Sequence, residues 1–246
     1  MRIYDYLIRG RELPDEYLAR YLSIYSGKTA FVDFELGRLL STLDATRLRE
    51  NTIVVFTSDN GDFAGEHHLI VKTGSMVDAM VRQPLVISWP GSLPSGRRLP
   101  QLVNQIDILP TLAQLCGVPP LPSAQGTPLP FDSSAPGREF VYSEYGASQA
   151  DYTWEEARTV GPAARLGDYA LATPLELHHL ERRERAGHLR MIRTPTHKLI
   201  ADSNGDIEFY DLARDPHELA NVHATPPYKD HERLLTDLLA RQTPSN

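Results

Sequence analysis

The sequence predicts an α/β fold, a mixed sheet sandwiched by helices, with a small C-terminal antiparallel sheet and a helix packed on it. Three observations favour this class. A short apolar run at residues 53–56 ends in a polar turn, a long helical pattern precedes it at residues 16–43, and three strand patterns follow one another between residues 190 and 212. Alternating helical and strand patterns are typical of α/β folds, whereas consecutive strands with short turns predict an antiparallel meander.

The first predicted element is a long amphipathic helix at residues 16–43. Apolar side chains recur there at steps of three, four and seven, which places them on one stripe of a helix. Pro14 and Asp15 supply a start signal ahead of it. We expect the stripe to pack against the sheet; its members are Tyr17, Tyr21, Tyr25, Val32, Leu36, Leu39, Leu40 and Leu43.

The stretch from Thr52 to Lys72, TIVVFTSDNGDFAGEHHLIVK, contains the candidate site. Its run of β-branched residues is too short for an ordinary helix and predicts a strand buried on both faces, as in a parallel sheet. Asp59 and Asn60 follow this strand, and ligands bind at the carboxyl edge of such sheets. Both side chains offer hard oxygen donors that suit Ca²⁺ or Mg²⁺, and Gly61 lets the backbone turn sharply. A plain turn at the same residues is the alternative.

Two helices and a strand are predicted after this stretch. A helix at residues 75–81 leads to a strand at residues 83–91, with Arg82 as a helix-end cation. In the second helix, at residues 105–116, Asp107 caps the first turn and Cys116 lies within the apolar pattern, where we expect a buried thiol.

A connector rich in Pro, Ser and Gly, residues 119–137, is the best candidate for a boundary. It divides the chain into two predicted units. Residues 1–137 form part of the α/β core, and residues 138–246 begin with a last core strand at residues 139–144 and end in the small subdomain. In the intervening residues 146–188, a charged run predicts a solvated helix face, and the spacing of the histidines fits no metal site; they are His178, His179 and His188.

The C-terminal subdomain is predicted as three strands and a helix. The strands lie at residues 190–194, 197–201 and 207–212, a hairpin turn falls at Asn204-Gly205, and the helix spans residues 228–241. We expect the polar residues between the last strand and the helix to fix turns and helix ends rather than to do chemistry; they are Asp215, Glu218 and Asn221.

Composition narrows the function classes. The chain has 246 residues, a net charge of −7, 41% hydrophobic and 23% charged residues, which is typical of a globular protein with a real core. The negative charge argues against a nucleic-acid partner. A single cysteine excludes an internal disulfide framework. No apolar run is long enough for a membrane span, and the amino terminus lacks the apolar core of a signal peptide. Localisation stays open, and a homo-oligomer is compatible with these features.

The residues from Thr57 to Lys72 resemble, without a gap, the metal-site loop of the sulfatase family, which belongs to the alkaline-phosphatase-like superfamily. The matching signals are S-D-N-G, then G-E-H, then a lysine thirteen residues after the aspartate. Further matches are the helix before the strand, an R-x-P-L segment at Arg82, a D-I-x-P-T-L segment at Asp107, and a carboxyl-terminal signature at residues 193–221. The resemblance runs from about residue 21 to 241 and covers the carboxyl-terminal portion of the family's architecture.

The resemblance implies roles for four residues. Asp59 and Asn60 correspond to ligands of a divalent metal ion, expected to be Ca²⁺ with Mg²⁺ or Mn²⁺ as alternatives. Lys72 corresponds to a cation at the sulfate oxygens, and His67 either touches substrate or shapes the loop. The expected substrate is a small-molecule or glycan sulfate ester. The family's formylglycine nucleophile, two further metal-binding aspartates and other substrate contacts are expected in an amino-terminal half that this sequence lacks.

Several alternatives remain open at this point. The segment from Ser92 to Arg97 resembles the C/S-x-P-S-R nucleophile motif, but its arginine falls one residue late, and the segment follows the metal-site loop instead of preceding it. A phosphate or phosphonate ester hydrolase on the same scaffold would keep Asp59, Asn60 and Lys72. Two further hypotheses are a catalytically inactive fragment or binding module, and one half of a split enzyme.

Overall fold

The computed structural model describes residues 15–68, 72, 75–119, 122–132, 134–146, 165–166, 169–170, 189–202 and 205–242. The sequence predictions for Pro14, for the histidines at 178, 179 and 188, for the charged run at 181–185 and for Asn204 lie outside these residues. Within the described residues, no helix combines the length and apolarity that crossing a membrane requires.

The predicted first helix is confirmed as α1, Asp15–Ala45. Acidic Asp15 and Glu16 occupy its first turn, where negative charge complements the helix dipole. The expectation that its apolar stripe packs against the sheet is wrong for this chain. Tyr25, Val32 and Leu39 are exposed, and the other members with described side chains are only half-buried; they are Tyr21, Leu36, Leu40 and Leu43.

The strand that precedes the candidate site is β1, Val54–Thr57. It pairs antiparallel with β2, Leu85–Ser88. The predicted parallel strand, buried on both faces, is therefore wrong. Phe56 and Val86 are exposed, and a short apolar run indicates a strand without indicating its direction or what covers it. The short helix α2, Asp78–Val81, lies between the two strands in sequence.

The second predicted helix begins with a 3₁₀ turn, Gln105–Asp107, and continues as α3, Ile108–Leu115. Asp107 is buried and closes this turn, since its carboxylate accepts the backbone N–H of Asn104 at 2.9 Å. The same carboxylate binds Arg138 and the N–H of Thr127, so its role is architectural. Cys116 is exposed, so the predicted burial of its thiol is wrong. It lies one position after Leu115, the last residue of α3, and so does not belong to the helical face that is buried.

A four-stranded antiparallel sheet forms the carboxyl-terminal part. In the order in which they pair, its strands are β3, Val141–Tyr145; β6, Leu189–Arg193; β7, His197–Ala201; and β8, Ile207–Asp211. A separate pair is formed by β4, Arg165–Leu166, and β5, Tyr169–Ala170. The strand expected to end the α/β core is β3, but it pairs with β6 at the edge of this sheet; the division at residue 137 stays a prediction.

Both faces of this sheet are covered. On one face, helix α4, Lys229–Gln242, buries Leu235 and Leu239 against the sheet. On the other face, Met76 packs against side chains of β6, β7 and β8. The predicted sheet with a packed helix is thus confirmed, and the segment that follows the candidate site is part of its core.

Candidate metal-site loop and the charges beneath it

The candidate metal ligands stand at the end of β1. Asp59 is exposed and Asn60 is half-buried. The Asp59 Oδ1 accepts the backbone N–H of Asn60 at 2.9 Å, and the Ser58 hydroxyl donates to the Asn60 carbonyl at 2.8 Å. These two local bonds fix the direction of the chain where two hard oxygen donors follow one another.

Gly61 is required by close packing rather than by a sharp turn. Its backbone is outside the left-handed region, unlike that of Gly65. A Cβ at Gly61 would lie 1.8 Å from the carbonyl oxygen of Ala79, and the Gly61 N–H donates to the Met80 carbonyl at 3.0 Å. The loop therefore rests directly on the backbone of α2, and this corrects the role predicted for the glycine.

Helix α1 holds the other side of the loop. The Tyr21 hydroxyl lies 2.9 Å and 3.0 Å from the two carboxylate oxygens of Asp62, and the backbone N–H of Ala64 donates to Asp62 Oδ1 at 2.8 Å. Sequence reasoning assigned Tyr21 only to the apolar stripe, because a tyrosine in an amphipathic pattern gives no sign of what its hydroxyl binds.

The loop then passes through a strained segment. Ala64, Gly65 and His67 all have positive φ, of 45°, 98° and 53°, and two of these are non-glycine residues, for which this region is uncommon. His67 is half-buried, and its ring lies edge-on to Phe63 with centroids 5.9 Å apart. This geometry favours the loop-shaping role among the two expected for His67.

Lys72 is exposed, and its neighbours at 69–71, 73 and 74 lie outside the described residues. An exposed ammonium close in sequence to two hard oxygen donors can bind an anionic ligand as a point charge. The structure thus brings Asp59 and Asn60 together and describes Lys72 on the same chain segment. The roles assigned to the four residues stay predictions.

The donor set fits a hard divalent cation in kind but not in number. Carboxylate and amide oxygens suit Ca²⁺, which takes six to eight ligands. Across the described ranges, no group of three or more His, Cys, Asp or Glu side chains could hold a metal ion. Asp59 and Asn60 can therefore supply part of such a site, and additional ligands are needed to complete it.

A group of buried charges lies beneath α2, and sequence reasoning missed it. Lys198 has an exposed fraction of 0%, and its Nζ lies 2.5 Å from both Asp78 Oδ1 and Glu218 Oε1. The available signal is one lysine in the strand His197–Ala201, whose neighbours Leu199 and Ile200 are also buried. A lysine in such a strand must find a carboxylate, because an unpaired buried charge is very costly.

The two carboxylates of this group respond differently to burial. Burial would raise the pKa of Asp78, but the adjacent charges of Lys198 and Arg193 outweigh it and hold that pKa below its usual range. Burial raises the pKa of Glu218, with Lys198 opposing the change only in part. Asp78 is therefore the firmly ionised partner of Lys198.

Sequence comparisons find similarity to proteins of one kind. The family model described as Sulfatase matches residues 8–118. N-acetylglucosamine-6-O-sulfatase of Bacteroides thetaiotaomicron is 28% identical over 234 residues, which cover 94% of this chain and 37% of that protein. Arylsulfatase K of Rattus norvegicus is 28% identical over 204 residues, which cover 81% of this chain and 31% of that protein.

Solved structures agree with the sequence matches. A structure in complex with its substrate D-glucosamine-2-N,6-O-disulfate aligns with a TM-score of 0.65 and 26% identity, covering 85% of this chain and 37% of that chain. Phosphonate monoester hydrolase of Agrobacterium radiobacter aligns with a TM-score of 0.69 and 27% identity, covering 89% and 40%. These likenesses confirm the predicted fold class, and this chain spans well under half the length of each protein.

Proposed function

We propose that this chain is part of a member of the sulfatase family, which it resembles in sequence and fold, and that it forms part of an enzyme that hydrolyses sulfate esters with a divalent metal ion. The observation that carries the proposal is the S-D-N-G loop at the end of β1, with Asp59 and Asn60 adjacent at its surface. The chain spans 37% of the length of the first curated relative, so the activity, the substrate and the remaining site residues are all part of the proposal.

Asp59 and Asn60 would hold the metal ion, and Ca²⁺ is the ion we propose because both donors are hard oxygens. When bound, the ion would act as a Lewis acid toward the oxygens of the transferring group. The Asp59 carboxylate contributes negative charge to the site. The Ser58 hydroxyl donates to the Asn60 carbonyl and so fixes the backbone that carries both donors.

Lys72 is the proposed sulfate-binding cation. A transferring sulfuryl group carries negative charge on its nonbridging oxygens, and a fixed ammonium stabilises that charge. His67 is proposed to hold the loop in shape through its left-handed backbone and its contact with Phe63. Both residues lie on the segment between β1 and α2, which also carries Asp59 and Asn60.

The proposed substrate is a sulfated sugar or another small sulfate ester. Support comes from relatives named for sugar, aryl and choline sulfates and from the neighbour bound to a glucosamine disulfate. A phosphonate or phosphate ester is the second candidate, because a phosphonate monoester hydrolase is among the structural neighbours. The same metal and ammonium would serve either transferring group.

The first measurement is the intact mass of the protein purified from its source cell. That intact protein is then assayed with an aryl sulfate and with an aryl phosphonate monoester, with added Ca²⁺ and with a chelator. Chelator-sensitive turnover of the sulfate supports the proposal, and faster turnover of the phosphonate supports the second candidate. Absence of both activities, in a protein of the mass of this chain, would contradict both.

The role of Lys72 is tested in the same assay. Lys72→Ala is expected to lower sulfate turnover by about two to three orders of magnitude, as does loss of other donors to developing charge. Lys28→Ala, which removes an exposed lysine on α1, is the control and should keep normal turnover. Near-normal turnover of Lys72→Ala would exclude this lysine from the reaction.

A further inference from the structure

Lys198 connects three segments that are far apart in sequence. Its ammonium contacts Asp78 and Glu218 and also donates to the carbonyl of Met76 at 3.1 Å. Glu218 Oε2 in turn accepts the backbone N–H of Asp78 at 2.5 Å, across 140 positions of sequence. The Arg193 guanidinium adds two contacts of 3.2 Å to the Asp78 carboxylate. The first residue of α2 is thereby fixed to the C-terminal sheet through both its side chain and its backbone.

Helix α2 also carries the candidate metal-site loop. The Gly61 N–H binds the Met80 carbonyl, and the absence of a Cβ at Gly61 allows this approach. Phe63, four residues after Asp59, is buried against Val77 and Met80. The helix therefore contacts both the buried charges and the loop.

We propose that Lys198 is a positioning residue, which holds the loop carrying Asp59 and Asn60 in place through Asp78 and helix α2. The identity of the ligand that this loop binds rests on the proposed function, whereas the mechanical link rests on the contacts alone. Among the described residues, the Lys198 ammonium contacts Asp78, Glu218 and Met76, so the proposed effect reaches the loop through α2.

A charged group suits this task better than an apolar one. Replacing every member of a buried ion pair by apolar residues of similar volume is often neutral or stabilising, whereas removing one partner leaves an uncompensated buried charge and is strongly destabilising. An ammonium between two carboxylates and a carbonyl, however, accepts one arrangement of these segments, because any shift leaves a buried charge unpaired. The network thus fixes where α2 sits, in addition to what it contributes to stability.

The link is tested by hydrogen–deuterium exchange of the full chain with mass-spectrometric readout. In Lys198→Met we expect exchange in peptides covering residues 59–63 and 76–81 to become about tenfold faster or more, because Asp78 then loses its contact with Lys198 and keeps those with Glu218 and Arg193. Lys229→Met, which removes an exposed lysine on α4, is the matched control and should exchange as the wild type does. Unchanged exchange at residues 59–63 in Lys198→Met would overturn the proposal.

The consequence for the site is tested with the intact enzyme at varied Ca²⁺. Loss of support around metal ligands typically costs 10–100-fold in metal affinity, so Lys198→Met should need about tenfold more Ca²⁺ for half-maximal turnover, with turnover recovering at saturating Ca²⁺. A purely structural role predicts lower turnover at every Ca²⁺ concentration, which would overturn the positioning role. If the wild type hydrolyses no sulfate ester, the proposed function fails, and the exchange measurement still decides the link.

A second variant covers the case in which Lys198→Met does not fold. Glu218→Gln keeps an oxygen for the Asp78 N–H and leaves the contact between Lys198 and Asp78. We expect faster exchange in the same two peptides, by a smaller factor than in Lys198→Met. Exchange identical to the wild type in Glu218→Gln, together with an unfolded Lys198→Met, would overturn the positioning role and leave Lys198 as a folding requirement.

Discussion

Helix α1 and the four-stranded sheet are both rich in large apolar side chains, but they place them in different surroundings. Phe31 on α1 is 64% exposed, whereas Phe209 on β8 is 0% exposed and packs with Leu235 and Leu239 of α4. The sheet has a covering layer on each face within this chain. Along α1 and the β1–β2 pair, no described residue supplies such a layer. The candidate site lies where these two regions meet.

The difference shows that an apolar pattern states what a segment could bury, and that only its neighbours decide whether burial occurs. Apolar side chains contribute to stability roughly in proportion to the area removed from water. The C-terminal sheet should therefore supply most of the stability of this chain, and α1 should add little for each apolar residue it contains.

The largest expected effect comes from a pair of phenylalanine truncations. Phe209→Ala removes a fully buried ring and should lower the free energy of unfolding by about 3–5 kcal/mol. Phe31→Ala removes an exposed ring of the same type and should change it by no more than about 0.5 kcal/mol. Urea unfolding of both variants measures the difference. Similar losses in the two would mean that α1 buries Phe31 in solution.

Sequence predicted the elements well and their surroundings poorly. Helix α1 and strands β6 to β8 fall within a few residues of their predicted bounds, because hydrophobic periodicity and turn residues are local signals. The predicted parallel pairing of β1 and the predicted burial of Cys116 were wrong, since both depend on which residues pack nearby. Pairing of Lys198 with Asp78 joins residues 120 positions apart, and one sequence holds no local signal for such a contact.

The candidate site shows the same division. Asp59 and Asn60 were found from a local motif, whereas the reason for Gly61 was not. A glycine after an aspartate and an asparagine is typical of a turn, but here it makes room for the backbone of Ala79. The motif therefore gives no sign of the contact between Gly61 and Ala79, which couples the site to the well-packed region.

A second pair of substitutions tests that coupling with effects of opposite sign. Gly61→Ala places a methyl group against a backbone carbonyl and should destabilise the chain by about 1–3 kcal/mol, as other overpacked sites do. Gly37→Ala, in the middle of α1 with no heavy atom within 4 Å of its added Cβ, should stabilise it by about 0.5–1 kcal/mol through helix propensity. Thermal unfolding checks both signs. A neutral Gly61→Ala would mean that the loop does not rest on α2.

The smallest expected effect is a dependence of stability on pH that arises from His197, in the packed sheet. His197 stacks on His231 with ring centroids 4.3 Å apart and on Phe209 at 5.6 Å. Burial lowers the pKa of His197, repulsion from His231 lowers it further, and Asp211 opposes the change in part. A lowered pKa means that the unfolded chain takes up a proton at a higher pH than the folded chain does.

The stability that His197 contributes is therefore present above the ordinary histidine pKa and is lost as the pH falls through the window between that value and its lower folded pKa. His197→Gln removes this titration, so its melting temperature should fall less than that of the wild type between neutral pH and about pH 5. His217→Gln, on an exposed turn, is the control and should follow the wild type. Equal slopes for His197→Gln and the wild type would show that the protonation of His197 is not coupled to folding. The packed sheet would then owe its acid sensitivity to carboxylates in contact with it, such as Asp78, whose pKa is held low by Lys198 and Arg193.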